Sequence, residues 1–307
     1  MGVAAKIAFA LLGLAVAGCS AVPPSGPRPA PGSTKPGAAP SAQTAVESHF
    51  ARLQDKRIAQ GLLRLNRAPR DLPVTATRLE RAFVEVALRD EYQYRGDTIL
   101  QQSAPSTLRR WDVPVRLSLE FGASVPQDIR RRDSALVTRF AARLARISDH
   151  PVTVTPGRGN FQVLVLNEAE RRASGDRLRS LVPGIDTASQ NLVENLPLGV
   201  SCLVLAFSRN GTNTYSDAVA IMRAELPERS RDACYYQEIA QGMGLPNDSP
   251  VARPSLFNDA AEFAVMTVLD EQLLRILYDP RLKPGMTSAD ARPIVRQIVA
   301  ELMGGQS

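Results

Sequence analysis

The sequence predicts an α/β chain of the α+β kind: a twisted mixed sheet with helices, a key helix at 230–243, and a helical segment ahead of the sheet. Three stretches lead there. Val115, Leu117, Leu119 and Phe121 alternate with Arg116, Ser118 and Glu120, the period of a half-buried strand. Residues 127–147 instead space Ile129, Leu136, Phe140, Leu144 and Ile147 along one helical face. Val200 to Phe207 is a nearly continuous apolar run and reads as a further strand.

The remaining elements follow in chain order. Val46, Phe50, Leu53, Leu62 and Leu65 give a helical stripe over 45–66, weakened at Gly61. Thr77-Arg78-Leu79-Glu80 reads as a capping box opening a helix to about Tyr92, with Leu79, Phe83, Val84 and Val86 to pack. Pro114 suits the start of the 115–121 strand, since proline cannot donate within a ladder. Short strands are expected at 152–155 and 161–167. Asn167 should cap a helix over 168–181 that stops at Pro183-Gly184. Asn210-Gly211 is a hairpin-type pair, leading into a strand at 215–224. Ser230 is placed to cap the helix that carries Gln237, Glu238 and Gln241.

The N-terminus is a targeting segment. Lys6 precedes an apolar run from Ile7 to Ala17, too short to span a bilayer and of signal-peptide length. Val16-Ala17-Gly18-Cys19 resembles a lipobox, in which the cysteine becomes the acylated mature N-terminus. Ser20 follows, and by resemblance to Gram-negative lipoproteins this implies the outer membrane, facing the periplasm. Residues 20–42 hold seven prolines among Gly, Ser and Ala and bury too little to fold. They should act as a spacer reaching roughly 60–70 Å at about 3 Å per residue. The expected organisation is therefore a leader at 1–18, a tether at 19–43, a helical segment at 44–95 and the main domain at 96–307.

The net charge of +6 is almost all arginine, since only Lys6, Lys35, Lys56 and Lys283 are lysines. Arg109-Arg110, Arg130-Arg131-Arg132 and Arg171-Arg172 are scattered short clusters without interleaved aromatics, which argues against a nucleic-acid partner. Apart from Cys19, the cysteines are Cys202 and Cys234. An oxidising compartment would let them bridge an apolar strand to the start of the Gln237 helix; the alternative is two separate buried thiols.

Gln237-Glu238-Ile239-Ala240-Gln241-Gly242-Met243-Gly244-Leu245-Pro246-Asn247 has the spacing of a zinc-protease helix, H-E-x-x-H-x-x-G-x-x-H. Together with Trp111-Asp112-Val113-Pro114-Val115, Ser255-Leu256-Phe257-Asn258 and Thr267-Val268-Leu269-Asp270, it resembles the metzincin branch of the zincins over about residues 110–280. That resemblance implies a zincin-like sheet, an active-site-type helix at 230–243, and Glu238 as a vestigial general base. The metal-ligand positions are degenerate: Gln237, Gln241 and Asn247 stand where the family has histidines, and Phe257 where it has methionine. Carboxamides are weak donors, so neither zinc nor any other cofactor is expected. These motifs, with Leu-Tyr-Asp-Pro-Arg-Leu-Lys-Pro-Gly-Met at 277–286, also resemble an uncharacterised family of proteobacterial lipoproteins with a domain of unknown function.

Other sites are thin. His49 and His150 lie far from this helix in sequence, and His150 reads as a turn residue. Gly157-Arg158-Gly159 is too short for a phosphate loop. Asp248, Asp259 and Glu262 could form an oxygen-rich cation site or be solvated loop carboxylates. The expectation is an envelope-anchored pseudo-enzyme, held to the bilayer through acylated Cys19, binding a peptide, a cell-wall component or an envelope protein in the old cleft. The alternatives are an active hydrolase with a non-standard metal site and a purely structural lipoprotein.

Overall fold

The computed structural model describes residues 41–95, 98–208 and 211–304; the leader, Cys19 and the tether up to residue 40 lie outside them. Helix α1 (Ala42–Ala59) is capped by Ser41, whose Oγ accepts from the Thr44 amide at 3.2 Å. Helix α2 (Ala76–Ala87) is capped by Thr75 and not by Thr77, with the Arg78 amide donating to Thr75 Oγ1 at 3.3 Å. α2 ends before Tyr92. Arg89–Arg95 is instead a strand, β1, paired antiparallel with β2 (Thr98–Pro105). The Tyr-Gln-Tyr alternation at 92–94 favours a pleated conformation over a continued helix. The boundary expected at residue 95 therefore falls inside a hairpin. Phe50, Leu79 and Phe83 join Leu136, Phe161 and Leu273 in one core.

The main sheet comprises β3 (Arg110–Trp111), β4 (Val115–Phe121), β5 (Val152–Val154), β6 (Phe161–Leu166), β7 (Cys202–Ser208) and β8 (Thr214–Arg223). The order β3-β8-β6-β4-β5 is parallel throughout, and β7 runs antiparallel along the other side of β8. Parallel neighbours need a crossover, and α3 (Gln127–Ser148) supplies it between β4 and β5, with Leu136, Phe140 and Leu144 buried.

β6 is buried along its whole length, as a central parallel strand should be. Its alternation divides two cores. Phe161, Val163 and Val165 face the larger core beside Ala218, Ala220 and Met222. Leu164 and Leu166 meet Val219, Ile221, Leu178 and Val193 on the opposite face. That second face is covered by α5 (Gly175–Leu181) and α6 (Thr187–Glu194). The single helix expected at 168–181 is two, α4 (Glu168–Arg172) and α5, broken at Ala173-Ser174; Asn167 does cap the first, in a full capping box. The chain continues through α7 (Glu228–Gln241), α8 (Val268–Tyr278) and α9 (Ser288–Gly304). Among the described residues no helix is long and apolar enough to cross a membrane.

Candidate functional site

Helix α7 is held at both ends and along one side. Its first turn is not capped by Ser230, because Pro227 takes the N-cap position. A glutamine from α1 serves instead: Gln54 Oε1 accepts from the Ser230 amide at 3.0 Å and from its hydroxyl at 3.1 Å. Midway, Tyr235 donates to Asp133 of α3 at 2.9 Å. At the C-terminal end, Trp111 Nε1 donates to the Gly242 carbonyl at 2.7 Å and Tyr278 donates to the Met243 carbonyl at 2.9 Å. Gly244, at φ +123°, makes the turn; a Cβ there would lie 2.3 Å from the Arg109 carbonyl oxygen.

The two cysteines are bonded. Cys202 opens β7 and Cys234 sits in α7, with their Cα atoms 5.9 Å apart. The bridge ties the sheet's antiparallel edge to the helix, and between them lies a cleft of about 420 Å³. α7 contributes Gln237, Glu238 and Gln241; β7 contributes the chain from Cys202 to Phe207; β1 contributes Glu91 and Tyr92. Among the described residues β7 pairs only with β8, so its other edge borders the cleft with backbone donors and acceptors unpaired within the sheet.

The helix spacing puts Gln237 and Gln241 on one face, and both amides converge on Asp248. Gln237 Nε2 donates to Oδ2 at 2.6 Å and Gln241 Nε2 to Oδ1 at 2.9 Å. Asp248, and not Asn247, is the residue that meets both glutamines. Asn247 turns away to α2, donating from Nδ2 to the Glu85 carbonyl at 2.7 Å and from its amide to the Val86 carbonyl at 3.2 Å.

Glu238 is 4% exposed and accepts no hydrogen bond from any described residue. Burial, then the nearby carboxylates of Glu91 and Asp248, raises its pKa well above the ordinary glutamate value. Asp248 is raised as well, by burial and by Glu91, against the two glutamine hydrogen bonds that favour its charge. Burial raises Glu91 too, although Gln101 donates to it at 2.8 Å.

Other expected groups fall elsewhere. Glu262 is held by Arg253, with Nε at 2.7 Å and Nη2 at 2.8 Å, while Asp259 lines the cleft. Among the described residues no three His, Cys, Asp or Glu side chains are grouped to hold a metal. Phe257 is fully buried in a turn whose amide donates to Ser255 Oγ at 2.9 Å; that hydroxyl donates to Asp270 of α8 at 2.5 Å. His150 sits in the turn after α3, its Nε2 at 2.9 Å from the Val113 carbonyl.

Sequence reading missed Glu91 and Tyr92 as cleft residues, because it ran α2 through them. The Tyr92-Gln93-Tyr94 alternation ahead of Gly96-Asp97 was the available signal. No curated protein and no solved structure matches the chain. A family model described as a protein of unknown function, DUF2927, matches residues 76–297, most of the described chain and the whole of the cleft's α7 and β7, and the chain belongs to that family.

Proposed function

We propose that this is an envelope lipoprotein whose cleft binds, without cleaving, an extended segment of a peptide, a cell-wall component or an envelope protein. The observation that carries the reading is the floor of the cleft. Two carboxamides clamp Asp248 where the resemblance to metallopeptidases implies two of three zinc-ligating histidines, and Asn247, the third, turns away to α2. Carboxamides lack the basicity to hold zinc tightly, and the one carboxylate of the set is occupied by them. Glu238 would then face water that no cation activates, leaving a general base little to work with.

Binding has better support. The unpaired edge of β7 offers alternating backbone donors and acceptors to a segment that adds as another strand, and the cleft beside it receives alternate side chains. The disulfide suits an oxidising compartment, in keeping with an anchor at Cys19 and a periplasmic-facing site. The full-length protein in micelles would be screened against extended heptapeptides and soluble peptidoglycan fragments, followed by amide exchange. A true ligand protects amides within Cys202–Ser208 and leaves intact after long incubation. Zinc-dependent, chelator-sensitive cleavage would favour the hydrolase, and absence of any ligand the structural lipoprotein. Cys19→Ser should release the chain from the membrane fraction or leave its precursor uncleaved.

A further inference from the structure

The inner end of the cleft is rich in acceptors and poor in donors. Both glutamine amides turn their Nε2 atoms to Asp248, the arrangement an ionised carboxylate requires. Their Oε1 atoms are thereby left over, and no described residue donates to either. Glu238, a residue only 4% exposed, adds two further oxygens that face the cleft without a partner among the described residues. Glu91 stands close enough to raise the proton affinity of both Glu238 and Asp248.

The cleft's own cations do not answer this need. Arg109 is turned to Asp90 by an ion pair through Nη2, although its Nε has no partner among the described residues. Arg57 also lines the cleft, yet among the described residues neither arginine forms an ion pair with Glu238. These oxygens open onto the cleft and take no protein donor, so a site of this composition is complementary to a group that only donates and carries positive charge, which would also favour the ionised form of Glu238.

We infer that this end of the cleft seats a protonated amine or guanidinium carried by the bound segment, packed against Glu238 and bridged by the Gln237 and Gln241 carbonyls. The inference rests on the binding reading above and names the chemistry of its ligand. A lysine-type ammonium satisfies three acceptors at once and fits an all-oxygen pocket. Its alkyl stem then runs along the apolar part of the cleft, where β7 presents Val204 and Ala206 on the same face as Cys202.

The test uses the full-length protein and three capped heptapeptides of sequence Ala-Val-Ala-X-Ala-Val-Ala, with X lysine, norleucine or glutamate. Isothermal titration should give the lysine peptide an affinity about 10- to 100-fold above the norleucine peptide, the range expected of hydrogen bonds to a charged group. Glu238→Gln should bring the two peptides to within about threefold, with unchanged circular dichroism. Glu91→Gln, on the hairpin, should reduce the preference in part and serves if Glu238→Gln proves unstable. Equal affinity for lysine and norleucine peptides overturns the cation inference and leaves the binding cleft standing. Failure of all three peptides to bind overturns both. Stoichiometric binding of calcium alone, lost in Glu238→Gln, would assign the pocket to a metal and overturn the inference.

Discussion

Removing the Cys202–Cys234 bridge should cost the domain much of its stability and loosen one wall of the cleft. The two residues lie 32 positions apart. In the chain-entropy model, closing a loop of that length removes about 12 cal/mol/K from the unfolded ensemble, or about 4 kcal/mol at 25 °C. Native-state strain subtracts from this figure, and so does any structure the reduced chain keeps when unfolded. For a domain of this size each kcal/mol moves the melting midpoint by about 2–4 °C, so the Cys202→Ala, Cys234→Ala double variant should melt about 8–15 °C below the oxidised wild type. Circular dichroism melts of both proteins, with and without reductant, give the comparison; reductant should lower the wild type toward the variant and leave the variant unmoved. Amide exchange within β7 should quicken in the variant, because β8 then holds that edge alone. A midpoint shift under about 2 °C, in wild type shown by thiol labelling to be oxidised, would refute the argument that this loop closure stabilises the fold.

Three further outcomes follow from the same geometry. Gln237→His with Gln241→His should create a zinc site binding one equivalent of metal by titration calorimetry, because the Asp248 carboxylate already meets both side chains. Adding Asn247→His should not tighten it and should destabilise by about 1–3 kcal/mol in urea unfolding, since Asn247 is tied to α2. Glu238, raised by burial and then by Glu91 and Asp248, should make stability fall with pH. Its neutral form is the one the fold favours, so that contribution is full below about pH 4.5 and is lost as pH rises through the higher folded value. Urea midpoints of Glu238→Gln should therefore decline less than wild type between pH 4.5 and 8, and parallel curves would contradict this. Gly244→Ala should cost at least about 3 kcal/mol, or prevent folding, because its Cβ would strike the Arg109 carbonyl at a φ that L-residues avoid; a variant melting like wild type would contradict the turn geometry.

The strands and long helices of the main sheet were legible because each has a clean period over enough residues. Val115–Phe121 alternates, Gln127–Ser148 keeps its stripe, and Asn167 caps its helix through a recognisable box. The spacing of Gln237 and Gln241 likewise foretold a shared face. Short or context-bound features were not legible. α6 is only eight residues and carries a weak apolar pattern. β1 is polar between its tyrosines, and its pairing with β2 is what makes it a strand. The choice between Asn247 and Asp248 depends on how the chain turns at Gly244, and the cap of α7 on a side chain 176 positions away; neither is a local property.

That distant cap sets apart the unit of ancestry from the unit of folding. The family match begins at residue 76, after α1 and the strap that follows it. Yet Phe50 of α1 is buried in the main core, and Gln54 satisfies the first turn of α7. Farther along, the Leu63 amide donates to the Ala261 carbonyl at 3.0 Å and the Arg64 amide to the Glu262 carbonyl at 2.8 Å, closing the loop that flanks the cleft. What the matched region shares across its family is therefore incomplete as a physical object in this chain. The residues that finish it come from the stretch at 50–64, ahead of the matched region, so the cleft is assembled partly by chain that the family match does not include.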